Sequence, residues 1–255
     1  MKEFTWKNKI QGIIACIVLI ILWEIIAIKM NNEIYLPRVE NVLFSIKEIL
    51  VKDDFFKNIL FSLSRTLISF LIALILAIVF GVLSLMYPVF KSFLKPLNSI
   101  GKTIPTMVLI VLALIWFKKE EAPFIVSFFI VFPILYEGVI SSINNINKEL
   151  MDMCKVYKIS TWQKVKKIYM PVIGFYITGI LMSTFSLAFK VIIAGEVYGE
   201  PKYGVGSSIQ VEKMNFNTNA IFAWVIIIAI LSVSFDLLNK LVIKKVYRWK
   251  HEDRN

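Results

Sequence analysis

The chain has 255 residues, 58% of them hydrophobic, with a mean hydropathy of +0.72, against an apolar content of about 45–50% in a typical soluble domain. A soluble core of this length has no room for that surplus, so the composition excludes an ordinary water-soluble domain and leaves a membrane protein. The formal charge of +11 would suit a nucleic-acid binder, but the basic residues form no stripe with interleaved aromatics, and no nucleic-acid partner is expected.

Six apolar blocks are candidate spans: Ile10–Ile28, Leu60–Met86, Ile100–Phe117, Phe124–Ile140, Val172–Ala194 and Ala220–Leu238. The first follows Lys2, Lys7 and Lys9 in the manner of a secretory signal. It is long for a signal core and has no small-x-small cleavage site before Asn31, so it is read as a retained helix. Between the first two blocks, Val39, Val42, Leu43, Ile46, Ile49 and Leu50 share one helical face, and Glu40, Lys47, Glu48 and Lys52 fall on the other. Such a helix either lies on the outer membrane surface or packs on the bundle. The third block has only Met107–Phe117 as its strongly apolar part, and needs the residues around Pro105 to cross about 30 Å of hydrocarbon.

Orientation follows from the basic residues. With the N-terminus inside, cytoplasmic segments hold 18 Lys and Arg against 5 acids, and external segments hold 9 against 10. Both termini are therefore expected in the cytoplasm. The excess positive charge is then a property of topology.

The largest cytoplasmic loop spans 141–170 and has its own periodicity. Leu150, Met153, Cys154 and Tyr157 follow i, i+3, i+4, i+7 on a short helix. Ser160 followed by Gln163 is a capping-box pattern, so a second short helix is expected to run from there until Pro171 opens span five. Periodicity alone leaves two readings, helices lying on the inner leaflet or helices docked on a partner.

Chemistry is sparse. There is no HExxH, GxSxG or CxxC pattern, Cys16 and Cys154 are far apart in environment, and His251 is the sole histidine. The acids in or beside spans, Glu24, Glu137 and Asp236, are spread over both membrane faces. No catalytic constellation and no metal or cofactor site is expected. Gly199–Gly206 is the nearest approach to a phosphate loop, with Val205 where the lysine should stand, so ATP would have to be bound by another subunit.

The loop resembles the EAA loop of bacterial ATP-binding-cassette importer permeases, in which a Glu-Ala-Ala triplet is followed by a glycine and then a proline. Asp152, Met153 and Cys154 take the triplet positions, and Pro171 falls at the expected distance. Lys158 replaces the glycine, so Ser160 is expected to supply the break between the helices by capping. Further pieces are similar to the nitrate/sulfonate/taurine branch: Leu22-Trp23-Glu24, Leu36-Pro37, Ser62–Leu67, Ile104-Pro105, Ile115–Phe117, Ala188–Lys190 with Gly195-Glu196, and Tyr203–Gly206.

The resemblance implies an all-α membrane protein of six transmembrane helices with the type I, MetI-like permease fold, as a single permease domain over residues 1–255. It implies a permease dimer in a bacterial cytoplasmic membrane, with two cytoplasmic ATPase subunits and an extracytoplasmic substrate-binding protein. The 141–170 loop would be the part that docks on the ATPase. The solute would be small, an anion such as nitrate, a sulfonate or taurine, or a vitamin precursor. The rival reading is an ion-gradient-driven transporter or channel, which gives no reason for the paired helices of the loop.

Two cations lie within spans. Gly179, Ser183, Ser186 and Lys190 form one helical face, read either as a transport path or as a small-residue packing stripe with a snorkelling lysine. Arg65 lies near the external end of span two, where two readings stand, a structural role, snorkelling to the interface with Glu24 on the same side as a possible partner, or contact with substrate.

Overall fold

Backbone N–H and C=O groups in hydrocarbon must be satisfied within their own segment, which restricts a spanning chain to helices or a closed barrel. The computed structural model describes residues 6–246, with backbone alone at 6–10, 236 and 239–246, and every regular element in it is helical. The side chains of Lys2, Lys7, Lys9, Asp236 and His251, and the basic residues from Lys240 onward, lie outside what is described.

The order is α1 (Trp6–Met30), α2 (Val39–Val51), α3 (Phe55–Met86), α4 (Pro88–Thr103), α5 (Thr106–Trp116), α6 (Ala122–Asn144), α7 (Lys148–Val156), α8 (Thr161–Lys164), a π-helical turn (Val165–Tyr169), α9 (Met170–Gly199), α10 (Val205–Met214) and α11 (Thr218–Val246). Five stretches among the described residues are long and apolar enough to cross a membrane, and α4 with α5 makes a sixth candidate if that bent pair is one span.

The core is the packing of α3 on α6 and of α6 on α9. Ala73, Ala77 and Gly81 give α3 a small-residue face on which α6 sits closely, and a Cβ at Gly81 would come within 2.4 Å of Val139. Hydroxyls bridge the same two helices, Ser69 to Ser127 at 3.0 Å and Ser84 to Tyr136 at 2.8 Å. Helix α1 stands at the edge, with nearly all its apolar side chains exposed, the surface expected of a helix meeting lipid. Its C-terminal half is tied to α2: Trp23 Nε1 donates to the Pro37 carbonyl at 2.9 Å, and the Val39 N–H donates to Glu24 Oε2 at 2.9 Å. The Leu22–Glu24 and Leu36-Pro37 pieces therefore form one joint, in which Glu24 caps the N-terminus of α2.

Two expectations change, and the choice left open for Val39–Val51 is decided. The block Ile100–Phe117 is not one helix, because the chain breaks at Ile104-Pro105 and α4 and α5 meet at 105°. Proline fixes its own φ, lacks an N–H and disfavours a helical residue before it. The segment Val39–Val51 packs on the bundle, burying Val42 and Ile49 in a cluster with Phe55, Phe189 and Trp224. Pro171 does not open a new helix: the chain is helical from Thr161 through Gly199, with the π-helical turn just before the proline. There the Met170 N–H reaches back five residues to the Val165 carbonyl, which widens the helix where Pro171 has no N–H to give.

Candidate coupling helix and transport face

Helix α7 begins at Asn147, whose side chain accepts from the Glu149 N–H at 2.9 Å. An asparagine just before Lys-Glu is the sequence signal for this cap. The helix buries one side and exposes the other. Cys154 is fully buried, whereas Leu150, Met153 and Tyr157 are 37%, 45% and 74% exposed, joined by Val156. The expected stripe thus splits, with Cys154 facing the protein and the other three forming an open apolar row. Asp152 does not reach helix N-terminal amides: it pairs with Lys155 one turn on, at 2.7 Å, and its carboxylate holds that exposed ammonium above the ordinary lysine range.

The end of α7 corrects the reading of Lys158. Its φ is +51°, the left-handed conformation that glycine adopts freely. The Ile159 N–H donates to the Cys154 carbonyl at 2.9 Å and the Lys158 N–H to the Lys155 carbonyl at 3.0 Å, a complete Schellman motif. Lys158 therefore makes the turn itself at a steric cost. Ser160 adds the start of α8: its Oγ accepts from the Gln163 N–H at 3.3 Å, and Gln163 Oε1 accepts from the Ser160 N–H at 3.2 Å. Capping box and left-handed turn act together. Pro171 then lies in the first turn of α9.

On α9, Gly179, Ser183 and Lys190 are exposed and Ser186 is half-buried, and a Cβ at Gly179 would touch nothing. The stripe lies on an open face of this protomer. Among the described residues no carboxylate pairs with Lys190.

Arg65 behaves differently. Its partner is not Glu24, which is occupied at α2, but the fully buried Glu196 of α9, at 2.7 Å. The same Nη1 donates to the Tyr203 carbonyl at 2.7 Å, and Nη2 meets Glu120 at 3.1 Å. Glu196 also accepts from Ser62 Oγ at 2.6 Å and from the Gly206 N–H at 3.1 Å, while Ser62 Oγ accepts from the Val205 N–H at 2.9 Å. A Cβ at Gly206 would lie 2.3 Å from the Ile193 carbonyl, so only glycine lets α10 begin so close to α9. Ser62, Arg65, Glu196 and Gly206 come from three of the motif pieces quoted above, and they meet in one polar node that ties α3, α9 and α10. Sequence spacing alone gave no sign of this meeting.

The fold and these sites define a membrane permease: a helical bundle, an apolar-faced helix left open between α6 and α9, and, among the described residues, no convergent catalytic groups. The chain belongs to the family described as binding-protein-dependent transport system inner membrane component, whose model matches residues 69–248. It is a permease subunit of an ATP-binding-cassette transport system. It is similar to a putative aliphatic sulfonates transport permease protein of Bacillus subtilis, with 22% identity over 98% of this chain and 90% of the relative. A putative ABC transporter permease protein of Methanocaldococcus jannaschii is 27% identical over 91% of this chain and 88% of the relative. A riboflavin transport system permease protein of Chloroflexus aurantiacus is 25% identical over 63% of this chain and 60% of the relative.

Proposed function

We propose that this chain forms half of a homodimeric translocation path in a bacterial cytoplasmic membrane, importing a small solute delivered by an extracytoplasmic binding protein. Both termini are cytoplasmic. Two ATPase subunits bind and hydrolyse ATP, one docked on α7 of each permease chain, and the permease itself binds no cofactor. The solute is an anion of the sulfonate, taurine or nitrate kind, or a vitamin precursor. Lys190, on the open face of α9 and without a carboxylate partner among the described residues, supports the anion, because an ammonium at membrane depth is costly unless it meets water, a partner or a substrate.

The observation that carries the reading is the exposed row of Leu150, Met153 and Tyr157 on a helix anchored from behind by Cys154. A row of that size is too small to be a core, but it fits a groove on a partner. Burying a charge there without a counter-ion should cost several kcal/mol of docking energy. Met153→Glu is therefore expected to abolish co-purification of the ATPase and transport while the chain still inserts. Equal recovery of the ATPase in a detergent pull-down with wild type and Met153→Glu would overturn the assignment and favour a helix resting on the inner leaflet.

A further inference from the structure

The end of α2, the start of α3, the turn after α9 and the helix α10 enclose a pocket of about 350 Å³ on the side of the bundle read as external. Its floor is apolar, with Ile49, Phe55 and Trp224 all buried. Its rim carries charge of both signs, from Lys52, Asp54, Glu200, Lys202 and Glu212. Neither Lys190 nor the small residues of its stripe line it, so the pocket is distinct from the open face of α9.

Most of that charge is matched within the protein. Lys52 pairs with Glu212 at 2.8 Å, and Asp54 with Lys57 at 3.1 Å. Glu200 and Lys202 remain, and among the described residues neither makes an ion pair. Glu200 accepts from the neutral Gln210 amide at 3.1 Å, and the Lys202 ammonium lies 5.3 Å from the centre of the Tyr203 ring. The turn that carries both is held in place: Glu200 has a φ of +47°, Pro201 is buried, and the Lys202 N–H donates to Glu120 at 3.0 Å. On the wall of the pocket, Ser207 Oγ is buried without a hydrogen-bond partner among the described residues, whereas buried hydroxyls are ordinarily paired. With Lys57 counted beside its partner, three lysines (52, 57 and 202) meet three carboxylates (54, 200 and 212), so the pocket is neutral as a whole. A net anion gains at Lys202 and loses at Glu200, a net cation does the opposite, and a ligand carrying both charges gains at each.

We infer that this pocket binds a small zwitterion, an aminosulfonate or an amino acid, with its ammonium against Glu200, its acid group against Lys202 and Ser207, and its carbon chain over the apolar floor. An apolar floor with a few placed polar groups is the usual make-up of a small-molecule site, and the volume falls in the usual range of about 300–1,000 Å³. The inference rests on neither the ATPase assignment nor the Lys190 face.

The test is a saturation-transfer NMR titration of the purified full chain in detergent with taurine, ethanesulfonate and ethylamine, of which the first carries both charges and the others one each. Taurine is expected to bind at least about tenfold more tightly than either, the factor that one hydrogen bond to a charged group supplies. Glu200→Gln should bring taurine down to the ethanesulfonate level, and the ethanesulfonate binding it retains shows that the variant is folded. Lys202→Gln should bring taurine down to the ethylamine level in the same way. Equal affinity for the three probes, no binding of taurine, or a taurine affinity unmoved by both glutamine variants would overturn the inference. The readout needs neither ATP nor a second protein, so a failed ATPase pull-down leaves it standing, and its own failure leaves the permease reading untouched.

Discussion

Arg65 and Lys190 are both cations on helices that cross the membrane, and the structure treats them in opposite ways. Arg65 is almost enclosed, with its side chain 11% exposed, and its guanidinium meets two carboxylates and a carbonyl. Lys190 stands on an open face with no carboxylate partner among the described residues. A charge that makes three hydrogen bonds to neighbouring segments holds helices together. A charge with no carboxylate partner among the described residues is free to meet a substrate, as proposed above.

The largest effect should come from breaking the satisfied site. Glu196→Ala removes the buried partner of Arg65 together with the acceptor of Ser62 and Gly206, and should cost about 3–5 kcal/mol of stability. Thermal unfolding of the purified permease would show it as a steep fall in midpoint or a loss of assembled protein. A variant as stable as wild type would mean the node is not structural.

Lys190→Glu should do the reverse, lowering uptake at least about tenfold, which corresponds to some 1.4 kcal/mol on the rate-limiting barrier, while leaving the unfolding midpoint and ATPase binding in place. Lys190→Arg should retain most uptake. Normal transport by the glutamate variant would return the α9 stripe to a packing role.

Lys158 belongs with neither cation, since its peculiarity is its backbone. Lys158→Gly relieves a left-handed residue and should stabilise α7 by about 1 kcal/mol, which amide exchange at Lys158 and Ile159 would detect as slower opening. Faster exchange would mean that the lysine side chain contributes more than its backbone costs.

The smallest change is expected at Glu120, whose carboxylate is 44% exposed where it meets Arg65. Glu120→Gln should cost less than about 1 kcal/mol, with the difference shrinking in high salt. A loss as large as that of Glu196→Ala would show that the outer and inner halves of the node act as one unit.

Much of this architecture is legible from hydropathy, because a helix that must cross hydrocarbon has little freedom in length or composition. The expected blocks at Leu60–Met86 and Phe124–Ile140 fall inside α3 and α6, and the capping box at Ser160 and Gln163 forms as its spacing implies. What periodicity misses is decided by the backbone or across the fold. The break at Ile104-Pro105 turns on proline stereochemistry inside a run that still averages as apolar. The partner of Arg65 lies 131 residues away, and no local pattern distinguishes Glu196 from Glu24 as its acceptor. The left-handed Lys158 is invisible because lysine is rarely spent there, and only the glycine at that position in the EAA loop hinted at the conformation.

The π-helical turn at Val165–Tyr169 has a rotational consequence. Because each residue of a regular helix advances the chain by about 100°, the residue held in that wide turn sets the azimuth at which α7 and α8 stand relative to the Lys190 face of α9. Removing one residue there would keep the composition, hydrophobic length and capping box nearly unchanged. It would swing the exposed apolar row of α7 about a quarter-turn around the axis of α9. In a permease chimera, the number of residues between the capping serine and the proline is then as binding a constraint as their identity, because it sets the direction in which the open row of α7 faces relative to α9.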